Sequence, residues 1–173
     1  MQPARGFARD DEFARYVAEH RQGLLRTARF LTAGDSHAAE DLVQTALMRV
    51  YVAWPRVRQE TADAYARRAV LNALIDESRR GFTRHERAQD VLPEPLPAPS
   101  PADTDEALYA ALAGLPPRMR AAVVLRFFCD LSVTDAAREL SCSEGTIKSQ
   151  TARALTHLRT TLSLQAPTQG VQP

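Results

Sequence analysis

Residues 132–159 read SVTDAARELSCSEGTIKSQTARALTHLR, and this stretch decides how the chain folds. Val133, Ala136, Ala137 and Leu140 recur at three- and four-residue steps, the spacing of one helix face. Ser132 stands where an N-cap is needed, because its hydroxyl can accept from an unpaired N–H of the first turn. The helix it opens is expected to end at Leu140. Ser141-Cys142-Ser143 reads as a short turn, and Ser143 as a second cap. Ile147, Thr151, Ala154, Leu155 and Leu158 form the inward stripe of a second helix. Two helices so joined, with alanines where they cross, match the helix-turn-helix that sets its second helix in a DNA major groove. Glu144, Lys148, Ser149, Ala152 and Arg153 share the outer face of that helix. Lys148 and Arg153 can donate to phosphate or guanine, and Ser149 and Gln150 can bond either. An ordinary antiparallel helix pair with a polar outer face fits the spacing as well.

Helical periodicity continues outward from this pair. Leu108, Ala111, Leu112 and Leu115 predict a short helix, and Pro116 or Pro117 starts the next, since proline fits a first turn. Met119, Val123, Val124 and Phe127 are its expected inner face. Further upstream, Phe13, Tyr16, Val17, His20, Leu24, Ala28 and Leu31 share a face, and Gly34 breaks the pattern. Asp35 or Ser36 can cap a second helix whose buried stripe is Ala39, Leu42, Val43, Ala46, Leu47, Val50 and Trp54, ended by Pro55. Thr61 is a cap for a third, running to about Arg80 with Tyr65, Ala66, Ala69, Val70, Ala73 and Leu74 inward. Trp54 and Tyr65 are read as core. Strand alternation and Asn-Gly or Asp-Gly turns are missing, so the expected class is all-α.

Between these blocks lies PEPLPAPSP, holding five of the 11 prolines from Pro93 to Pro101. Such a run favours extended backbone. The expected organisation is two small helical domains, 1–80 and 106–162, joined by an acidic linker, 81–105, with a disordered tail, 163–173. The net charge of +1 conceals an uneven distribution. Residues 1–80 hold 13 Arg against 11 acids, 81–107 hold 2 against 6, and 108–173 hold 7 basic residues against 4 acids. So small a basic surplus predicts weak, salt-sensitive DNA binding by the free chain, since charge neutralisation drives most nonspecific affinity.

Other classes lose ground on the same page. Cys129 and Cys142 form no CxxC, and His20, His37, His85 and His157 are scattered, so no metal site is expected. There is no Ser-His-Asp order, Gly-rich phosphate loop or HExxH, so no catalytic residue and no cofactor is assigned. The opening MQPARGFARDDEF lacks a signal-peptide core, and no apolar run approaches the ~20 residues that span a bilayer. A cytoplasmic setting without membrane insertion is expected.

The wording of the helix-turn-helix is more specific than its spacing. LSVTDAARELSCSEGTIKSQTARALTHLR resembles the −35-reading region of extracytoplasmic-function (ECF) sigma factors of the sigma-70 family, and residues 115–132 resemble the rest of that domain. A glycine common in the family's turn is replaced by Ser141. Ala39-Glu40-Asp41-Leu42-Val43-Gln44-Thr45-Ala46-Leu47 is similar to the region-2 helix that grips polymerase, and residues 64–76 to the helix that reads the −10 element. The actinobacterial SigE-like branch is the nearest in flavour.

The resemblance implies partners and roles. Core RNA polymerase would be held through its β′ clamp helices and β flap, with Asp41, Leu42, Gln44, Thr45 and Met48 on the clamp side; Leu42 and Val43 themselves read mainly as core. Arg67, Arg68, Asn72, Arg79 and Arg80 would meet the −10 strand of promoter DNA, with Asn72 equally suited to a structural role. Ser143, Glu144, Thr146, Lys148, Ser149, Gln150 and Arg153 would read the −35 duplex. An anti-sigma factor, present for many relatives, is a candidate partner. A strap of 25 residues, Gly81–Asp105, reaches ~80 Å when extended, beyond two B-DNA turns of ~34–36 Å each. The alternative is a helix-turn-helix regulator that binds DNA as a dimer and is no polymerase subunit; the DLVQ phrase and the Arg-rich third helix speak against it.

Overall fold

Amphipathic stripes with strong caps yield helices throughout the described residues, 4–87 and 104–165, of this computed structural model. The first group is α1 (Ala4–Leu31), α2 (Ser36–Ala53) and α3 (Ala62–Arg87). Gly34 ends the α1 turn at φ +91°, where a side chain is strained, and its N–H closes on Arg29 O at 2.8 Å. Asp35, rather than Ser36, caps α2, accepting from Ala38 N at 2.9 Å. Trp54 and Pro55 turn the chain in a short 3₁₀ segment. Thr61 precedes α3, but its hydroxyl donates to Arg58 O instead of capping. The core between these helices centres on Ala28, Leu31, Val43, Ala46, Val50, Ala66, Val70 and Leu71. Phe13, Tyr16 and Trp54 cluster at its far end with ring centroids 5.0–6.4 Å apart.

The second group is α4 (Thr104–Ala113), α5 (Pro117–Phe127), α6 (Val133–Leu140) and α7 (Glu144–Gln165). Pro117 takes the first turn of α5. This helix buries five consecutive residues, Ala121–Leu125, because α6 and α7 cover one side and α1 and α3 the other. Ser132 caps α6, accepting from Asp135 N at 3.0 Å, and Ser143 caps α7, accepting from Thr146 N at 3.1 Å. Ser141, between them, takes the left-handed φ of +50° that glycine adopts freely.

Other expectations need correction. Phe127, expected inward, is 54% exposed at the end of α5, and Phe128 makes the contact instead. Tyr65, read as core, is 41% exposed, because it shares the outer stripe of α3 with Arg68 and Asn72 rather than the alanine face. The third helix does not stop at Arg80: GFTRHER carries no proline and extends α3 to Arg87, since one interior glycine costs only about 1 kcal/mol. Thr104 and Asp105 likewise belong to α4, and residues 163–165 to α7. The remainder of the linker and tail readings, 88–103 and 166–173, falls outside the described residues.

Candidate functional site

Three helix faces carry the residues singled out by sequence. On α2, Asp41, Gln44, Thr45 and Met48 form one exposed stripe, while Leu42 and Val43 on the adjoining face are 2% and 1% exposed. Leu42 therefore belongs to the core and has no surface to offer a partner. Asp41 makes no hydrogen bond or ion pair among the described residues, although its neighbour Glu40 pairs with Arg21. The stripe ends in two apolar residues open to water, Met48 at 64% and Val52 at 78% exposure. Sequence reasoning missed Val52. Its position four residues after Met48 and seven after Thr45 was the available signal.

On α3, Arg68, Asn72 and Arg79 face outward and Arg80 continues the helix, while Ile75 is partly buried against the core. Arg67 and Arg68 do not face open solvent alone; they meet α6 of the other helix group. Arg67 Nε donates to both carboxylate oxygens of Glu139 at 3.1 and 3.2 Å, and its Nη2 to Oε1 at 3.0 Å. Burial works against the Arg67 charge, but the Glu139 carboxylate overrides it, leaving the pKa raised. Arg68 Nη2 donates to Arg138 O at 2.8 Å and to Ser141 Oγ at 3.2 Å. Arg67, Arg68, Arg138 and Glu139, with Tyr65, Leu131 and Asp135, line a cleft of about 280 Å³.

On α7, Lys148, Ser149 and Arg153 are exposed and Gln150 is partly so. Lys148 and Arg153 have no ion-pair partner among the described residues, so both charges are available to an anion. The first turn is otherwise occupied. Ser143 Oγ serves as the cap and lies 2.9 Å from Thr146 Oγ1, and Glu144 Oε1 accepts from Thr134 Oγ1 at 2.7 Å. Ser149 Oγ donates to Thr146 O at 3.0 Å, leaving its lone pairs outward. The arrangement offers a helix end with two free cations, suited to phosphate and base-edge contact. No group of three or more His, Cys, Asp or Glu side chains that could hold a metal occurs among the described residues.

Known proteins share this layout. The family described as sigma-70 region 2 matches residues 16–82, and that described as sigma-70 region 4 matches residues 105–158. The RNA polymerase sigma-E factor of Streptomyces avermitilis is 38% identical over 155 residues, covering 86% of this chain and 83% of that one. The chain belongs to the ECF sigma factors. The ECF RNA polymerase sigma factor SigM of Mycobacterium tuberculosis is 37% identical, covering 88% of this sigma factor and 76% of its own length. Among solved structures, the sigma factor RpoE of Bartonella quintana, in complex with the anti-sigma factor NepR, superposes with a TM-score of 0.70 at 25% identity, covering 88% of this chain and 97% of that one. The α2 and α3 faces lie within the region-2 match and the α7 face within the region-4 match. No helix among the described residues is long and apolar enough to cross a membrane.

Proposed function

We propose that this sigma factor binds bacterial core RNA polymerase in the cytoplasm and directs it to specific promoters. Residues 1–80 form the unit that grips the β′ clamp helices, through Asp41, Gln44, Thr45 and Met48, with Val52 extending the contact. The same unit presents Arg67, Arg68, Asn72, Arg79 and Arg80 to the opened −10 strand. Residues 106–162 meet the β flap and lay α7 in the −35 major groove through Lys148, Ser149, Gln150 and Arg153. The chain between α3 and α4 spans the distance between the two elements. No covalent chemistry is involved: binding energy selects the duplex and captures the separated strand. An anti-sigma protein is a further partner that this reading admits, on the precedent of RpoE bound to NepR.

The observation that carries this reading is the exposed α2 stripe ending in Met48 and Val52. Adjoining exposed apolar side chains set among polar neighbours suit contact with a protein partner. The test is run-off transcription with sigma-free core polymerase on genomic promoter fragments. Promoter-specific transcripts are expected. Specific DNA binding by the chain alone, with no effect on core polymerase, would establish the dimeric-regulator reading instead.

A further inference from the structure

Glu144 is an acid in the first turn of α7, the helix set against DNA, where a carboxylate repels phosphate. Lys148 stands four residues on, in the order that favours an ion pair along a helix. Both side chains are exposed, yet they form no pair. Glu144 Oε1 instead accepts from the Thr134 hydroxyl of α6 at 2.7 Å, and Oε2 has no hydrogen bond or ion pair among the described residues. The carboxylate is thus tied across the helix-turn-helix with one oxygen satisfied and the other open. Gly145 stands beside it. A Cβ there would meet nothing nearer than Ser143 Oγ at 3.8 Å, an ordinary contact, and its φ is not positive. Glycine weakens a helix relative to alanine, and nothing inside the fold asks for it here. A surface brought close to this turn from outside accounts for it.

An ionised carboxylate only accepts hydrogen bonds. In the major groove guanine offers acceptors at N7 and O6 and thymine an acceptor at O4, whereas cytosine offers its N4 amino group. Adenine sets its N6 amino group beside the acceptor N7, and so matches a carboxylate by half. We propose that Glu144 selects a cytosine in the −35 duplex through Oε2, and that Thr134 is the positioning residue that holds the carboxylate for it. This rests on the reading of α7 as the −35 contact. A side chain already fixed by Thr134 has less rotamer freedom to lose when it meets the base. It also cannot swing onto Lys148, which keeps its charge for the DNA.

The test uses holoenzyme assembled from the full chain and core polymerase, on a promoter obtained by run-off transcription. Each −35 base pair is replaced in turn by the other three, and the variants compete for binding. Wild type should show one position where cytosine outcompetes guanine and thymine by about tenfold or more, with adenine between them. Glu144→Ala should level the four bases at that position and keep the preferences elsewhere. Glu144→Gln should move the preference there to adenine, which an amide meets with one donor and one acceptor. Thr134→Val keeps the shape without the hydroxyl and should cut the discrimination about threefold, while Thr134→Ser restores it. A wild-type enzyme with no such position, or a Glu144→Ala change by one common factor on every sequence, overturns the cytosine assignment. A common factor in Thr134→Val overturns the positioning role. Lys148→Ala and Arg153→Ala keep this proposal apart from the reading beneath it. If they alter −35 preference while Glu144→Ala keeps the wild-type pattern, α7 still reads the duplex and the cytosine assignment falls. If no α7 variant alters binding to any −35 sequence, both fall.

Discussion

Arg120 Nη1 donates to Leu31 O at 2.8 Å, joining the end of α1 to the first turn of α5 across 89 residues of chain. The same guanidinium donates through Nη2 to Leu115 O at 3.1 Å and Ala113 O at 3.4 Å. Three carbonyls at two helix ends are thereby satisfied by one side chain, and burial lowers its pKa without discharging it. Arg120→Ala leaves those carbonyls short of a donor at a partly buried site. The expected loss is about 1–3 kcal/mol of unfolding free energy, read from urea denaturation. Arg120→Lys should recover little of it, since an ammonium cannot span the same fork.

Leu42 and Asp41 are neighbours in sequence with opposite fates. Leu42→Ala opens a cavity in the first core and should cost about 2–5 kcal/mol. Asp41→Arg and Gln44→Ala should leave the thermal midpoint within about 2 °C of wild type, as surface changes do, yet weaken binding to core polymerase by about tenfold or more. Thermal unfolding and a fluorescence-anisotropy titration with core enzyme separate the two effects. Loss of stability in Asp41→Arg, or full polymerase affinity in both surface variants, would contradict the assignment.

Lys148 and Arg153 are distinguishable by salt. A side chain on phosphate lowers affinity uniformly when removed and reduces the slope of log K against log salt by about 1. One bidentate to a guanine costs about 1–3 kcal/mol at that base position and relaxes specificity there. Arg153, with its planar fork, is expected to behave in the second way and Lys148 in the first. Binding of Lys148→Ala and Arg153→Ala holoenzymes to −35 variants over a salt series reads this out.

Ser141 holds a left-handed backbone at φ +50° and ψ +50°, a conformation that costs an L-residue about 1–2 kcal/mol. Ser141→Gly should recover roughly half of that, after the added flexibility of the unfolded chain is counted. It also deletes the hydroxyl that accepts from Arg68 at 3.2 Å. The thermal midpoint should therefore rise while the α3–α6 contact loosens, seen as faster hydrogen exchange in α6.

Acid should weaken the cap of α6. The bond from the Ser132 hydroxyl at 2.6 Å holds the Asp135 carboxyl below its ordinary value of 3.8, with Arg138 on the same helix and Arg67 on α3 adding to the effect. A depressed folded-state pKa contributes stability above the unfolded value and loses it as pH falls through the folded one. The difference in thermal midpoint between wild type and Asp135→Asn should be constant at neutral pH and shrink as pH falls below the ordinary 3.8 and through the depressed folded value.

Much of this molecule is legible in its residues. Ser132, Ser143, Gly34 and Pro117 all mark helix ends where the structure has them, because capping and breaking are local effects of one side chain on its own backbone. Three- and four-residue spacing likewise identified Trp54, Leu31 and Ile147 as core. It misjudged Tyr65 and Phe127, since an apolar residue at the edge of a stripe is buried or exposed according to what lies opposite.

The reach of one helix group onto the other belongs to tertiary structure alone. Nothing within 72 residues of Arg67 announces that Glu139 will accept three of its hydrogen bonds, or that Phe30 will stack on Phe128. Helix formation depends on neighbours four residues apart, so a linear reading recovers it. Docking depends on the shape and charge of two finished surfaces, and those exist only once each helix group has folded.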